Sequence, residues 1–262
     1  MRWFPTGLWP SQPNTSPSNT LIMHNELKLR YRNALPDKPR WVETRDLLAW
    51  SDSSCIGDDC RNFVVWSGED DLGAIVGEPA PTAIHAAAKA CEELLAFPEH
   101  IHYARKHLQH FDAELATLFK APTGSIPEPG HPCRVLTRGE VVALSHLQSE
   151  LRDELADVET EGQEILAALD GDLPVSFAYV ASETETLWDI SIDTVATHRR
   201  RGFASAAVLS MMQIMAQRSQ TAVWGAVQSN TASQNLARKL GFIEVDQLWV
   251  LNRKISTILP RN

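Results

Sequence analysis

The sequence predicts an α+β chain in two parts, a smaller N-terminal unit and a larger C-terminal one. Three observations predict it. Apolar runs of strand length alternate with helix-length apolar periodicity through most of the chain. Near the middle, Ala121–Pro132 gathers four prolines and two glycines in a dozen residues, the composition of a linker. Asp170 and Gly171 stand between two apolar runs, a strong hairpin signal. A length of 262 residues suits one large domain or two small ones, and either buries a sizeable core.

The elements follow in order. Residues 1–22 hold Pro5, Pro10, Pro13 and Pro17 among Ser, Asn and Thr, and read as a disordered extension without the layout of a secretory signal. The N-terminal unit, 23–120, opens its regular structure with two strands, Phe63–Trp66 and Leu72–Val76, joined by the acidic turn Ser67–Asp71. Thr82–Leu95 reads as a helix with Thr82 as its cap, and Glu99–His110 as a second. A strand near Leu115–Phe119 completes the unit. After the linker, 121–132, comes a strand at Arg134–Leu136 and a helix from Thr137, whose T-x-x-E spacing to Glu140 is a capping box. A helix over Ser149–Asp157 precedes the hairpin strands Ile165–Leu169 and Val175–Val180. The strand Leu187–Val195, the helix Phe203–Met215, the strand Ala222–Gln228, the helix Ser233–Leu240 and the strand Glu244–Leu251 close the second unit, 133–262.

Composition excludes several classes. With 44% hydrophobic and 22% charged residues the chain is ordinary globular protein. A net charge of -9 leaves no surplus of Lys and Arg for a nucleic-acid backbone, so a polymeric phosphate partner is not expected. No run approaches the length of a membrane-spanning helix, and no membrane partner is expected. Cys55 and Cys60 have a C-x4-C spacing without a second pair, so ordinary thiols are expected rather than a zinc site. The expected setting is cytoplasmic and reducing, with no metal and a monomer or homodimer.

Arg199–Ala204 is the stretch that carries chemistry. It joins a strand to a helix, and Gly202 and Ala204 let a ligand come close to the backbone. The first N–H groups of the helix have no intrahelical partner there and make an anion site, to which Arg199, Arg200 and Arg201 add countercharge. A P-loop and a G-x-G-x-x-G fingerprint are both missing.

The pattern R-x-x-G-x-A resembles the acetyl-CoA loop of the GNAT family of N-acetyltransferases. A second element, Asn230–Phe242, resembles that family's N-x-x-[AS]-x-x-L-x-x-x-x-G-F signature and follows another strand. The resemblance covers most of residues 133–262. It implies a mixed, mainly antiparallel central sheet and direct attack by an amine on acetyl-CoA in a ternary complex, without a covalent enzyme intermediate. On this resemblance the pyrophosphate lies on backbone N–H groups from Arg200 through Phe203 to Ser205, and the pantetheine arm runs beside Thr194 and Val195. A backbone N–H there polarises the thioester carbonyl, Asn230 steadies the arm or the splayed strand, and Ser233 belongs to the same donor site. The N-terminal unit is a candidate diverged half of the same fold.

One departure stands out. Many members carry a Tyr that can protonate the leaving thiolate, and Ala237 occupies that position here. A non-catalytic acyl-CoA-binding module is therefore the alternative to an acetyltransferase acting on a small amine. Candidate bases come from strand alternation: Glu185, Asp189 and Asp193 fall on one face of their strand, with Glu183 just before it. Acids in a polar cleft act as bases when burial raises their pKa, and the competing reading makes them turn and hydrogen-bonded structural groups. His198 reads as a loop residue flanking the phosphate site. The acidic surface suits a cationic amine.

Overall fold

A computed structural model describes residues 19–254, with side chains from Asn25 onward. Most of the extension expected at 1–22 lies outside the described residues. The rest of it opens helix α1, Asn19–Ala34. There follow α2 (Val42–Ala49), the strands β1 (Ser54–Asp59), β2 (Asn62–Ser67) and β3 (Leu72–Val76), α3 (Pro81–Ala90), β4 (Glu93–Ala96), α4 (Ile101–His107) and β5 (Phe111–Lys120). Residues 121–132 contain no helix or strand. Beyond them come β6 (Cys133–Val135), α5 (Ser149–Thr160), β7 (Leu166–Asp170), β8 (Leu173–Glu183) and β9 (Leu187–Thr194). α6 (Phe203–Gln217), β10 (Thr221–Val227), α7 (Thr231–Lys239) and β11 (Ile243–Arg253) complete the described residues.

All the strands join one open sheet in the order β1-β2-β3-β4-β11-β5-β10-β9-β8-β7-β6. It is mainly antiparallel, with parallel pairs only at β3–β4 and β9–β10. Apart from β6, which has no counterpart in the first half, the two halves repeat one order: helical segments, three antiparallel strands, a helix, a parallel strand, a helix and a last strand. Each last strand crosses over. β11 inserts between β4 and β5, and β5 inserts between β11 and β10. The ladder between β5 and β11 runs from Ile243↔Lys120 to Arg253↔Phe111. The two halves therefore share backbone hydrogen bonds at their centre.

Helices cover both faces. α6 lies on one face over Trp188, Ile190, Trp224 and Phe119, and α3 and α4 continue that layer over β2–β4. On the opposite face, α1 and α2 cover Phe63, Leu95, Leu118 and Val250, while α5 covers Phe177 and Tyr179.

Four local expectations are corrected. The helix from Pro81 stops at Ala90, because Cys91 turns extended and the buried Leu94, Leu95 and Ala96 pair between β3 and β11 as β4. Partners on both sides outweigh the helix propensity of that stretch. Thr82 does not cap the helix; Ala80 holds the cap position, with Pro81 in the first turn. No α-helix starts at Thr137. Glu140 accepts hydrogen bonds from the Thr137 N–H and Oγ1, at 3.0 and 2.9 Å, and also from Arg134, and only a 3₁₀ turn, Val141–Ala143, follows. Lastly β1, rich in Asp and holding Gly57, has a composition poor for strands and forms through its pairing with β2.

Candidate active site

β9 and β10 start as a parallel pair and then part. Their register runs from Leu187↔Thr221 to Asp189↔Val223 and goes no further. From Ile190 to Thr194 the β9 edge that faced β10 has no ladder partner, while β10 turns fully to β5. The parting opens a cleft of about 740 Å³ that runs between the strands, from α2 on one face of the sheet to the starts of α6 and α7 on the other. Side-chain alternation decides what reaches it. Trp188 packs in the core beneath α6, and Ile190 and Ile192 line the cleft from that face, while Asp189, Ser191 and Asp193 line it from the opposite face.

One end of the cleft is the loop before α6. Gly202 is the helix N-cap at φ 95°, with no side-chain cap, and the Gly202 carbonyl accepts the first helical hydrogen bond from Ala206 at 3.0 Å. The N–H groups of Phe203, Ala204 and Ser205 precede that bond and have no helical partner. Arg200 also takes a left-handed conformation, φ 61°, so two successive reversals curl the loop around the helix start. Arg199, Arg200, Gly202, Ala204 and Ser205 line the cleft. Arg199 donates Nε to the Thr194 carbonyl at 3.2 Å and ties the loop to the end of β9.

Arg201 and Phe203 face elsewhere. Arg201 pairs with Asp170 at 2.9 Å and stacks over Phe203, whose ring is buried beneath α6. His131, from the segment joining the halves, braces the loop: its Nε2 lies 3.0 Å from the Arg201 carbonyl and its ring 4.1 Å from that of Phe203. Nothing in the motif pointed to His131, since it stands far away in sequence.

Thr194 lines the cleft and its hydroxyl shares a 2.7 Å hydrogen bond with Ser176. Val195 does not line it; its N–H donates to the Val175 carbonyl at 2.9 Å and is not available to polarise a carbonyl. Asn230 and Ser233 both line the cleft with their side chains engaged. Asn230 caps α7 by accepting the Ser233 N–H at 3.1 Å, and the Ser233 hydroxyl accepts the Trp224 indole N–H at 2.8 Å. These bonds fix α7 against β10, the strand that forms the far wall.

The acids divide. Glu185 is no base. It sits in the β8–β9 turn, outside the cleft lining, bound to Arg45 at 2.5 Å and Arg32 at 2.9 Å. The Arg45 hydrogen bond holds its carboxyl below the usual range, the wrong direction for a proton acceptor near neutral pH. Asp189 and Asp193 both line the cleft. Burial pushes the Asp193 carboxyl up, against smaller opposing effects from Arg199 and from the Tyr179 hydrogen when it is donated to Asp193. Glu43 of α2 and Glu93 of β4 line the same space, with apolar Val42, Leu95, Leu118 and Val250 between. These N-terminal residues carried no motif. Only the crossing of β5 and β11 brings their elements beside β9. Among the described residues no His, Cys, Asp or Glu cluster is placed to hold a metal, and no helix is long and apolar enough to cross a membrane.

Residues 164–251 match the family model for GNAT acetyltransferase. A GCN5-related N-acetyltransferase-like protein from Streptococcus suis superposes with a TM-score of 0.61 at 14% identity, over 88% of this chain and 99% of that one. A GCN5-related N-acetyltransferase from Kribbella flavida gives 0.57 at 12% identity, over 88% and 97%. A tandem GNAT protein from the clavulanic acid biosynthesis pathway gives 0.52 at 13% identity, over 90% and 96%. At these identities the likeness is one of fold. No curated protein matches the chain in sequence.

Proposed function

We propose that this chain, whose residues 164–251 match the family model for GNAT acetyltransferase, moves the acetyl group of acetyl-CoA to the amine of a small cationic molecule. The observation that carries the reading is the parting of β9 from β10 directly above an uncapped helix start. It offers an unpaired strand edge beside backbone N–H groups and the cations Arg199 and Arg200. The residues present fit the donor. The β9 edge from Ile190 to Thr194 would take the amide-bearing arm, and the loop from Arg199 to Ser205 the pyrophosphate. Bound there, acetyl-CoA supplies a thioester carbonyl open to attack.

In this reading Asp193, or Asp189 four residues earlier on the same side of β9, takes the proton from the ammonium form of the acceptor. The neutral nitrogen then attacks directly in the ternary complex, the C–S bond breaks, and the second proton that the nitrogen sheds on becoming an amide reaches the thiolate through water. Ala237 is fully buried and Tyr179 does not line the cleft, so neither delivers that proton. Glu43, Glu93 and Asp189 line the acceptor side, and the net charge of -9 suits a cationic substrate. The N-terminal half, with its repeated order of elements, is on this reading a diverged copy of the fold. It has no counterpart of the arginine loop and serves as a wall of the acceptor site.

The test is a thermal shift followed by turnover. Acetyl-CoA at about 100 times its dissociation constant should stabilise the protein by about 2.7 kcal/mol. CoA release is then measured over a panel of amines. No shift with acetyl-CoA or longer acyl-CoAs overturns the proposal, and binding without turnover for any amine leaves a CoA-binding module.

A further inference from the structure

We propose that Tyr179 and Glu154 position Asp193 as the proton acceptor of the cleft and carry the accepted proton out to the surface of α5. The inference rests on the acetyl-transfer reading above. Tyr179 is buried, and its hydroxyl lies between two carboxylates, 2.5 Å from Glu154 Oε1 and 3.4 Å from Asp193 Oδ2. Asp193 lines the cleft, whereas Glu154 is half-buried on α5. The three groups therefore span the layer between cleft and outer surface.

Counting hydrogens gives the direction. A phenol has one hydrogen, and both carboxylates can accept it. The short contact assigns it to Glu154. The tyrosine oxygen then presents a lone pair to Asp193. That lone pair opposes an ionised Asp193 and welcomes a protonated one, which can donate into it. The arrangement thus favours the state Asp193 reaches on taking a proton from the amine. Burial raises the carboxyl in the same direction. Among the described residues the Arg199 guanidinium from the loop also faces Asp193 and favours its ionised form, and Ser191 and Asp189 follow on the same side of β9. Ser191 also hydrogen-bonds the Tyr179 hydroxyl, and Ser176 donates to the Asp193 backbone carbonyl at 3.1 Å.

The relay balances. The O–H bond of protonated Asp193 breaks as the Tyr179 oxygen takes that hydrogen. The hydrogen Tyr179 had been donating passes to Glu154, which releases it to water. Asp193 ends as a carboxylate and Tyr179 ends neutral. Asp193 is the residue that touches substrate; Tyr179 and Glu154 act through it.

The experiment is a double-mutant cycle read by ¹³C NMR titration of the Asp193 carboxyl, assigned with Asp193→Asn. Glu154→Leu should free the Tyr179 hydrogen to turn to Asp193 and lower its pKa by about one unit. In a Tyr179→Phe background the same change should do much less. Because an active base must be ionised, the acid limb of kcat/KM should move to lower pH with Glu154→Leu, while kcat falls about tenfold as the exit is cut. A retained acetyl-CoA thermal shift in each variant shows that fold and donor site are intact. Equal pKa shifts with and without the hydroxyl would be a plain charge effect and overturn the relay. Turnover with an unmoved pH profile and unchanged kcat would do so as well. A wild-type chain with neither CoA binding nor turnover overturns the acetyl-transfer reading, and the relay with it.

Discussion

Gly202 illustrates how one residue couples backbone to ligand site. Its φ of 95° lies in a region that L residues rarely adopt, and an added Cβ would stand 3.1 Å from His131 Nε2. Gly202→Val should therefore cost about 1–3 kcal/mol of stability through backbone strain. It should also push His131 off the loop and abolish acetyl-CoA binding. Calorimetric titration together with a chemical melt checks both, and unchanged affinity would remove the loop from the donor site. The glycine was legible in the sequence because few residues tolerate that conformation. The roles of its neighbours were not. Arg201 and Phe203 belong to the same motif as Arg200, yet Asp170 and the core beneath α6 claim their side chains. Spacing along a chain records backbone need better than side-chain direction.

At the scale of elements, the β8–β9 turn is held by the N-terminal half. Asp37 accepts hydrogen bonds from Thr184 and Thr186, and Glu185 joins Arg32 and Arg45. Arg45 is almost wholly buried, so Glu185→Ala leaves part of its guanidinium unpaired. The expected loss is about 1 kcal/mol, with kcat unchanged, read from urea melts and CoA release. The pH sign follows from the lowered carboxyl. A depressed folded-state pKa contributes stability that is present above the unfolded value and lost as pH falls through the folded one. Wild type and variant should thus converge in stability at acid pH. Strand alternation correctly set Asp189 and Asp193 on one face. It also grouped Glu185 with them, because periodicity cannot tell where a strand begins and the turn before it ends. The segment after Thr137 shows the same limit. Its side-chain contacts form as a capping box suggests, but Glu140 is also drawn to Arg134 and no helix grows from them.

At the scale of the whole molecule, the crossing of β5 and β11 means that neither half closes its own sheet. Without residues 1–132, β11 would lose both neighbours and β10 would lose β5. A fragment spanning 133–262 should show no cooperative thermal transition, although it holds both motifs. Adding the N-terminal half in trans should restore one. A fragment that folds and binds acetyl-CoA alone would show the exchange to be dispensable.

The sequence by itself determined the order of most strands and helices, the hairpin at Gly171 and the anion-binding loop before α6. These depend on local periodicity, turn chemistry and backbone freedom, which short stretches encode. Only the tertiary structure decided which acids face the cleft, that β4 is a strand, that His131 braces the loop, and that Glu43 and Glu93 from the other half complete the site. Each of those depends on pairing between segments distant along the chain, where the partner rather than the local composition sets the outcome.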